Sequence, residues 1–157
     1  MMLTAMSATG SAQDRFWWQG SLMIIKARAA DTGGALGLVE ASFPEGFGPP
    51  LHVHHREDEA FYLLEGKIRF RQGDADFVAG PGTFVWGPRG VPHAFKVEPS
   101  GARALVMVTP GGLEEMFAVG GMPAGDLAEA PAVPFDPAAA AALAERFGFE
   151  VVGPQLA

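Results

Sequence analysis

Short apolar runs rich in β-branched and aromatic residues follow one another from Phe16 to Thr109, and turn residues fall between them. Phe16 to Ala27 and Leu36 to Phe43 read as strands around a turn at Asp31–Gly34, and Pro44 to Pro50 reads as a Gly/Pro loop. A closely spaced series follows: Leu51–His54, Glu59–Leu64, Lys67–Arg71, Ala75–Ala79, Thr83–Trp86, His93–Val97 and Arg103–Thr109. Glu65-Gly66, Gly73-Asp74, Gly80-Pro81-Gly82 and Pro99-Ser100-Gly101 supply the turns. Strands at this pace predict an all-β sandwich or barrel.

After Pro110 the pattern changes. Gly112 to Val119 reads as a short helix with Leu113, Met116 and Phe117 on one face, and Gly120 to Pro134 as a connector. Asp136 as N-cap, Pro137 at the first helical position and Gly148 as the stop delimit a second helix through Phe147. Phe149 to Val152 is a last short strand. The expected organisation is a loose tail over 1–14, a barrel over 15–110 and a helical extension over 111–157 packed on the barrel.

Composition narrows the function. Hydrophobic residues make up 48% of the 157 and charged residues 18%, enough to build one core. The net charge of −7, with no basic run, argues against nucleic acid and anionic membranes as partners. The absence of cysteine removes disulfides, thiolate ligands and a cysteine nucleophile. No phosphate loop, nucleophile elbow or acidic dyad is visible. The N-terminal residues lack the pattern of a signal peptide, and no run reaches membrane-span length, so a cytoplasmic protein is expected. A mean hydropathy of +0.16 leaves apolar surface that a homodimer would bury.

The chemistry lies in the histidines. All four fall in two short motifs, the first reading Gly46, His52, His54, Glu59 and Gly66, the second Gly82, Pro88, Gly90 and His93. On a strand, His52 and His54 point to one face and Val53 to the other. Glu59 opens the next strand in phase with Phe61 and Leu63, so its carboxylate faces the core and needs a partner. A divalent cation supplies one. His93 follows the rigid turn Pro88-Arg89-Gly90-Val91-Pro92. Three imidazoles and a carboxylate suit one iron, manganese, nickel, copper, cobalt or zinc ion per chain, and an octahedral ion would keep about two positions open. His55 has the opposite parity to His54 and reads as a surface or outer residue. Glu57 shares the parity of Glu59 and is the alternative carboxylate.

These motifs resemble the two motifs of the cupin family. Gly46, His52, His54, Glu59 and Gly66 match every position of the first. Gly82, Pro88, Gly90 and His93 match the second, which ends on Val97 where the family has a non-ligating asparagine. The resemblance implies a jelly-roll β-barrel with a short C-terminal helical extension, and a metal held by His52, His54, Glu59 and His93. The run from Pro50 to Glu59, and Thr109-Pro110-Gly111-Gly112 further on, resemble single-domain bacterial cupins related to flavonol (quercetin) 2,3-dioxygenases. That resemblance implies a dioxygenase acting on a small, apolar, flavonol- or enol-like substrate, with Glu59 as both ligand and proton acceptor. The same family includes metal-dependent isomerases and lyases and non-catalytic binding barrels. Phe61, Phe84, Trp86, Phe95 and Phe117 are the candidate walls of a substrate pocket, against the ordinary reading of strand aromatics as core. Tyr62 falls on the face opposite Glu59. Arg69, Arg71 and Arg89 are the candidate clamps for an anionic substrate.

Overall fold

The computed structural model describes residues 14–157; most of the predicted N-terminal tail lies outside the described residues. Ten strands and two helices are present among the described residues, with a 3-10 turn at Ala29–Asp31. The strands are β1 (Arg15–Trp18), β2 (Ser21–Ala27), β3 (Gly37–Phe43), β4 (His52–His54), β5 (Asp58–Gln72), β6 (Ala75–Ala79), β7 (Phe84–Gly87), β8 (His93–Thr109), β9 (Met122–Pro123) and β10 (Phe149–Val151). The helices are α1 (Glu115–Gly120) and α2 (Pro137–Phe147).

The pairings make one continuous antiparallel ladder, but β5 and β8 are long enough to turn a corner and serve two sheets. The first half of β5 pairs β7 and the second half pairs β6. β8 pairs β5 along its whole length, from Asp58↔Thr109 to Gln72↔His93, and lends its second half to β3 and its first residue to β4. The front sheet therefore runs β9-β1-β2-β3-β8-β5-β7 and the back sheet β10-β4-β8-β5-β6. This is a jelly-roll with a short helical extension.

The corner is built by register shifts at Leu63/Glu65 and Gly66/Ile68. Gly66 sits at φ 74°, a region costly for other residues, and a Cβ there would run into the carbonyl of Gly101. Between the sheets, alternate residues of every long strand form the core, with Leu63, Ile68 and Ala104 fully buried. Five phenylalanines fill the middle: Phe61 lies 5.1 Å from Phe70 and 5.4 Å from Phe95, and Phe43 lies 5.4 Å from Phe95 and 5.3 Å from Phe47, centroid to centroid.

Several predicted elements change. The expected strand Phe16–Ala27 is a hairpin, because Gln19 and Gly20 both adopt positive φ and form a two-residue turn. Glu59–Leu64 and Lys67–Arg71 are one strand, as are His93–Val97 and Arg103–Thr109; the Gly-containing breaks are bends that keep the ladder. The connector after α1 contains β9, which pairs β1. The second helix has its predicted limits: the Asp136 carboxylate accepts from the amides of Ala138 and Ala139 at 3.0 and 3.2 Å, and Gly148 closes the helix at φ 67°.

Candidate metal centre

β4 is a three-residue strand whose position is set from both sides. It pairs β8 at His52↔His93 and β10 at Phe149↔His54 and Val151↔His52. The backbone is fastened further by Leu51 N–H to Pro154 O (3.0 Å), Val152 N–H to Leu51 O (2.8 Å) and Gly90 N–H to His54 O (2.8 Å). His52, His54 and His93 thus stand side by side on the back sheet. Glu59, on the front sheet, reaches across the barrel mouth to meet them.

The ligating atoms of these four residues all lie within 4.8 Å of one another. Glu59 Oε2 is 3.0 Å from His93 Nε2 and 3.2 Å from His54 Nε2. Two ligand atoms at right angles, each about 2.1 Å from a common ion, would be about 3.0 Å apart, so these separations are those of neighbouring coordination positions. His52 donates Nδ1–H to the Pro50 carbonyl at 2.7 Å and His93 donates to Val91 at 3.3 Å, which turns Nε2 of both rings to the centre. His54 is 5% exposed, and neither of its ring nitrogens has an aligned hydrogen-bond partner. A buried imidazole left in this state costs free energy that an ion at Nε2 would recover. The donor set, its spacing and this unpartnered ring all fit a divalent metal.

The electrostatics are those of a cation site. Burial works to raise the Glu59 carboxyl, but the charge of His54 close beside it and the hydrogen bond and charge of His93 outweigh it and hold it well below the usual range. Burial lowers His52 to about 4, helped by the charge on His93. For His93 burial is outweighed by the hydrogen bond and charge of Glu59, and its pKa rises.

Phe61 and Phe95 stand two residues below Glu59 and His93 on the same inward rows, so they form the floor under the four ligands. Phe84 and Trp86 do not line the interior. β7 turns Val85 and Gly87 inward, leaving Phe84 59% and Trp86 45% exposed on the outer face, beside Tyr62. The parity that puts Tyr62 outside applies equally to its partner Phe84. Phe117 packs edge-on against Trp18 at 5.4 Å, at the border of the main core. The apolar roof near the ligands comes from elsewhere: Val108, Leu113 and Phe147 form a separate cluster with Met116, Leu143 and Phe149. The Phe149 ring lies 6.1 Å from that of His54. Sequence reasoning missed this roof, although the alternation of Leu113, Met116 and Phe147 on helix faces carried a trace of it.

His55 is exposed and lies 3.2 Å from Glu150. Glu57 is buried rather than solvated, with Oε2 unpartnered and its carboxyl raised by burial, and it stands outside the four converging groups. The arginines are engaged elsewhere: Arg69 with the Ala157 carbonyl, Arg71 with Asp76 at 2.6 Å and Arg89 with Asp58 at 3.1 Å. A cleft of about 400 Å³ lies among Glu45, Arg69, Lys96 and Ala157, lined by none of the four ligands. No helix among the described residues is long and apolar enough to cross a membrane.

Fold and site together define a class: a two-sheeted jelly-roll whose mouth could hold a metal ion between three histidines and a glutamate. The chain is similar to the cupin superfamily: the cupin domain matches residues 39–110 and so encloses both motifs. It is 24% identical over 110 residues to quercetin 2,3-dioxygenase of Bacillus subtilis (strain 168), a stretch covering 70% of this chain and 33% of that protein. The chain thus spans about a third of that relative's length. Among solved structures it is similar to oxalate decarboxylase of Bacillus subtilis (TM-score 0.56, 23% identity, covering 69% of this chain and 30% of that one). It is also similar to KdgF from Halomonas sp. (0.54, 19%, 59% and 82%) and to TT1209 from Thermus thermophilus (0.52, 25%, 61% and 89%). These likenesses speak to the fold.

Proposed function

We propose that this protein is a metal-dependent dioxygenase of quercetinase type, acting on a small, apolar, flavonol- or enol-like substrate with dioxygen as oxidant. The observation that carries this reading is the convergence of three imidazoles and one carboxylate at an apolar barrel mouth. The sequence similarity to a quercetin 2,3-dioxygenase directs it toward oxygen chemistry.

His52, His54, Glu59 and His93 would hold the ion, which supplies Lewis acidity and a template for substrate and oxidant. The chain does the rest. Backbone carbonyls of Pro50 and Val91 fix the tautomers of His52 and His93, so both rings present lone pairs without reorganisation. Glu59 is ionised at neutral pH, and an oxygen of its carboxylate can take the proton of an incoming hydroxyl. Leu113, Met116 and Phe149 offer an apolar surface beside His54 and limit water. With Arg69, Arg71 and Arg89 paired elsewhere, none of the arginines considered as clamps is available for a phosphate or a dicarboxylate.

The test is elemental analysis of untagged protein beside His54→Ala, followed by oxygen uptake with quercetin. About one transition metal per chain in the wild type, lost in the variant, is expected, with oxygen consumed only by the loaded wild type. Wild-type metal content in His54→Ala would refute the site. Conversion of substrate without oxygen would replace the oxygenase with a metal-dependent isomerase or lyase.

A further inference from the structure

The barrel mouth contains one more inward-facing polar side chain, which the ligand set does not use. Gln72 ends β5 in phase with the buried Ile68 and Phe70, and its register partner is His93. Paired residues project to the same side of a sheet with Cβ atoms about 5 Å apart, so Gln72 and His93 share the mouth. The amide then crosses from the back sheet to the front. A Cβ built on Gly87 would come within 3.4 Å of Gln72 Nε2 and 3.0 Å of the Glu59 carbonyl oxygen. Gly87 pairs with Glu59 and is buried on the inward row of β7. Its missing side chain leaves the notch that receives the amide. The carboxamide is therefore flanked by a ligand histidine on one sheet and by the backbone of the ligand glutamate on the other. It makes no hydrogen bond to another group among the described residues. The half-buried amide closes a row of phenylalanines with its polar atoms still open to solvent, so its N–H groups are free to donate to a molecule that enters the mouth.

Resting on the metal-centre reading above, we propose that Gln72 is a specificity-determining residue: its Nε2–H donates to the anionic or oxygen atom of a molecule occupying an open position on the metal. A neutral amide favours enolate and phenolate oxygens without demanding a second negative charge, which distinguishes this mouth from one lined by arginine.

The test uses cobalt-loaded protein and azide, a small anion that needs only an open position and accepts hydrogen bonds. Wild type, Gln72→Leu and Gln72→Glu are compared for cobalt content, azide affinity by visible absorption and the antisymmetric stretch of bound azide. Equal cobalt content is expected in all three. Azide affinity should fall about tenfold in Gln72→Leu, and further in Gln72→Glu, where a carboxylate replaces the donor. The azide stretch should shift between wild type and Gln72→Leu, a change that a purely structural role would not produce. Equal affinity and an unshifted stretch with cobalt in place would overturn the inference, as would a loaded wild type that binds no azide. Failure of the wild type to take up cobalt would instead overturn the metal centre on which the inference rests.

Discussion

At one end of the barrel β5 and β8 turn their corners through Gly66 and Gly101; at the other the same strands terminate, at Asp58 and Gln72 and at His93 and Thr109. The corner end is closed by backbone. Gly66 and Gly101 both take positive φ, and a Cβ on Gly101 would sit 2.8 Å from the Phe43 carbonyl oxygen. The side chains just inside it are apolar except Ser21, buried on the inward row of β2. The mouth gathers three imidazoles, a carboxylate and an amide into a space hardly more exposed to water. Polar groups are tolerated at that end because a cation can compensate them, whereas the corner has no such compensation and uses glycine. One pair of strands thus carries a core end, whose worth is packing, and a chemical end, whose worth is charge.

Three substitutions or conditions would sharpen that division. The largest effect is expected at Phe70, which is 1% exposed and contacts Phe61, Phe77 and Phe95. Phe70→Ala should cost about 3–5 kcal/mol in urea denaturation of the metal-free protein while leaving metal stoichiometry unchanged at low temperature. Loss of metal with full stability retained would erase the distinction between the two ends.

Next comes pH. The raised pKa of His93 means that an incoming ion must displace its proton, whereas His52, lowered to about 4, and Glu59, held well below its usual range, are already deprotonated. Metal affinity should therefore fall as pH drops through the His93 value, with protons released on binding below it. Calorimetry in buffers of different ionisation enthalpy measures their number. Zero protons released would contradict the His93–Glu59 pairing. The smallest effect is expected at the roof. Asp136→Ala removes the cap of α2 and should cost about 1 kcal/mol, seen as faster amide exchange at Ala138 and Ala139 with the barrel amides unaffected.

The motifs made the ligand end legible because strand parity is a strict rule. His52 and His54 share a face, Glu59 shares its row with Phe61, and these relations survive folding unchanged. The limits of α2 were legible for a similar reason, since Asp136, Pro137 and Gly148 act locally. Legibility failed where the answer depended on which strand sits opposite. Phe84 and Trp86 are candidate pocket walls by residue type alone, but the β7–β5 register decides the matter and puts them beside the outward Tyr62. Gln72 was passed over because its neighbourhood to His93 exists only through the β5–β8 pairing. The breaks at Gly66 and at Pro99-Ser100-Gly101 looked like strand ends because a bend and a terminus share the same residues.

β4 has a consequence for the order of assembly. Its three residues gain one flank from His93 and the other from Phe149–Val151, about a hundred positions further along the chain. During synthesis the histidines of β4 emerge long before the segment that holds them in line. The barrel's phenylalanine interior can collapse in that interval, but the arrangement of His52 and His54 waits for β10 to dock. Non-local closures of this kind are slow steps. A nascent chain stalled before Phe149 should therefore possess most of its hydrophobic interior and still lack an ordered place for an ion.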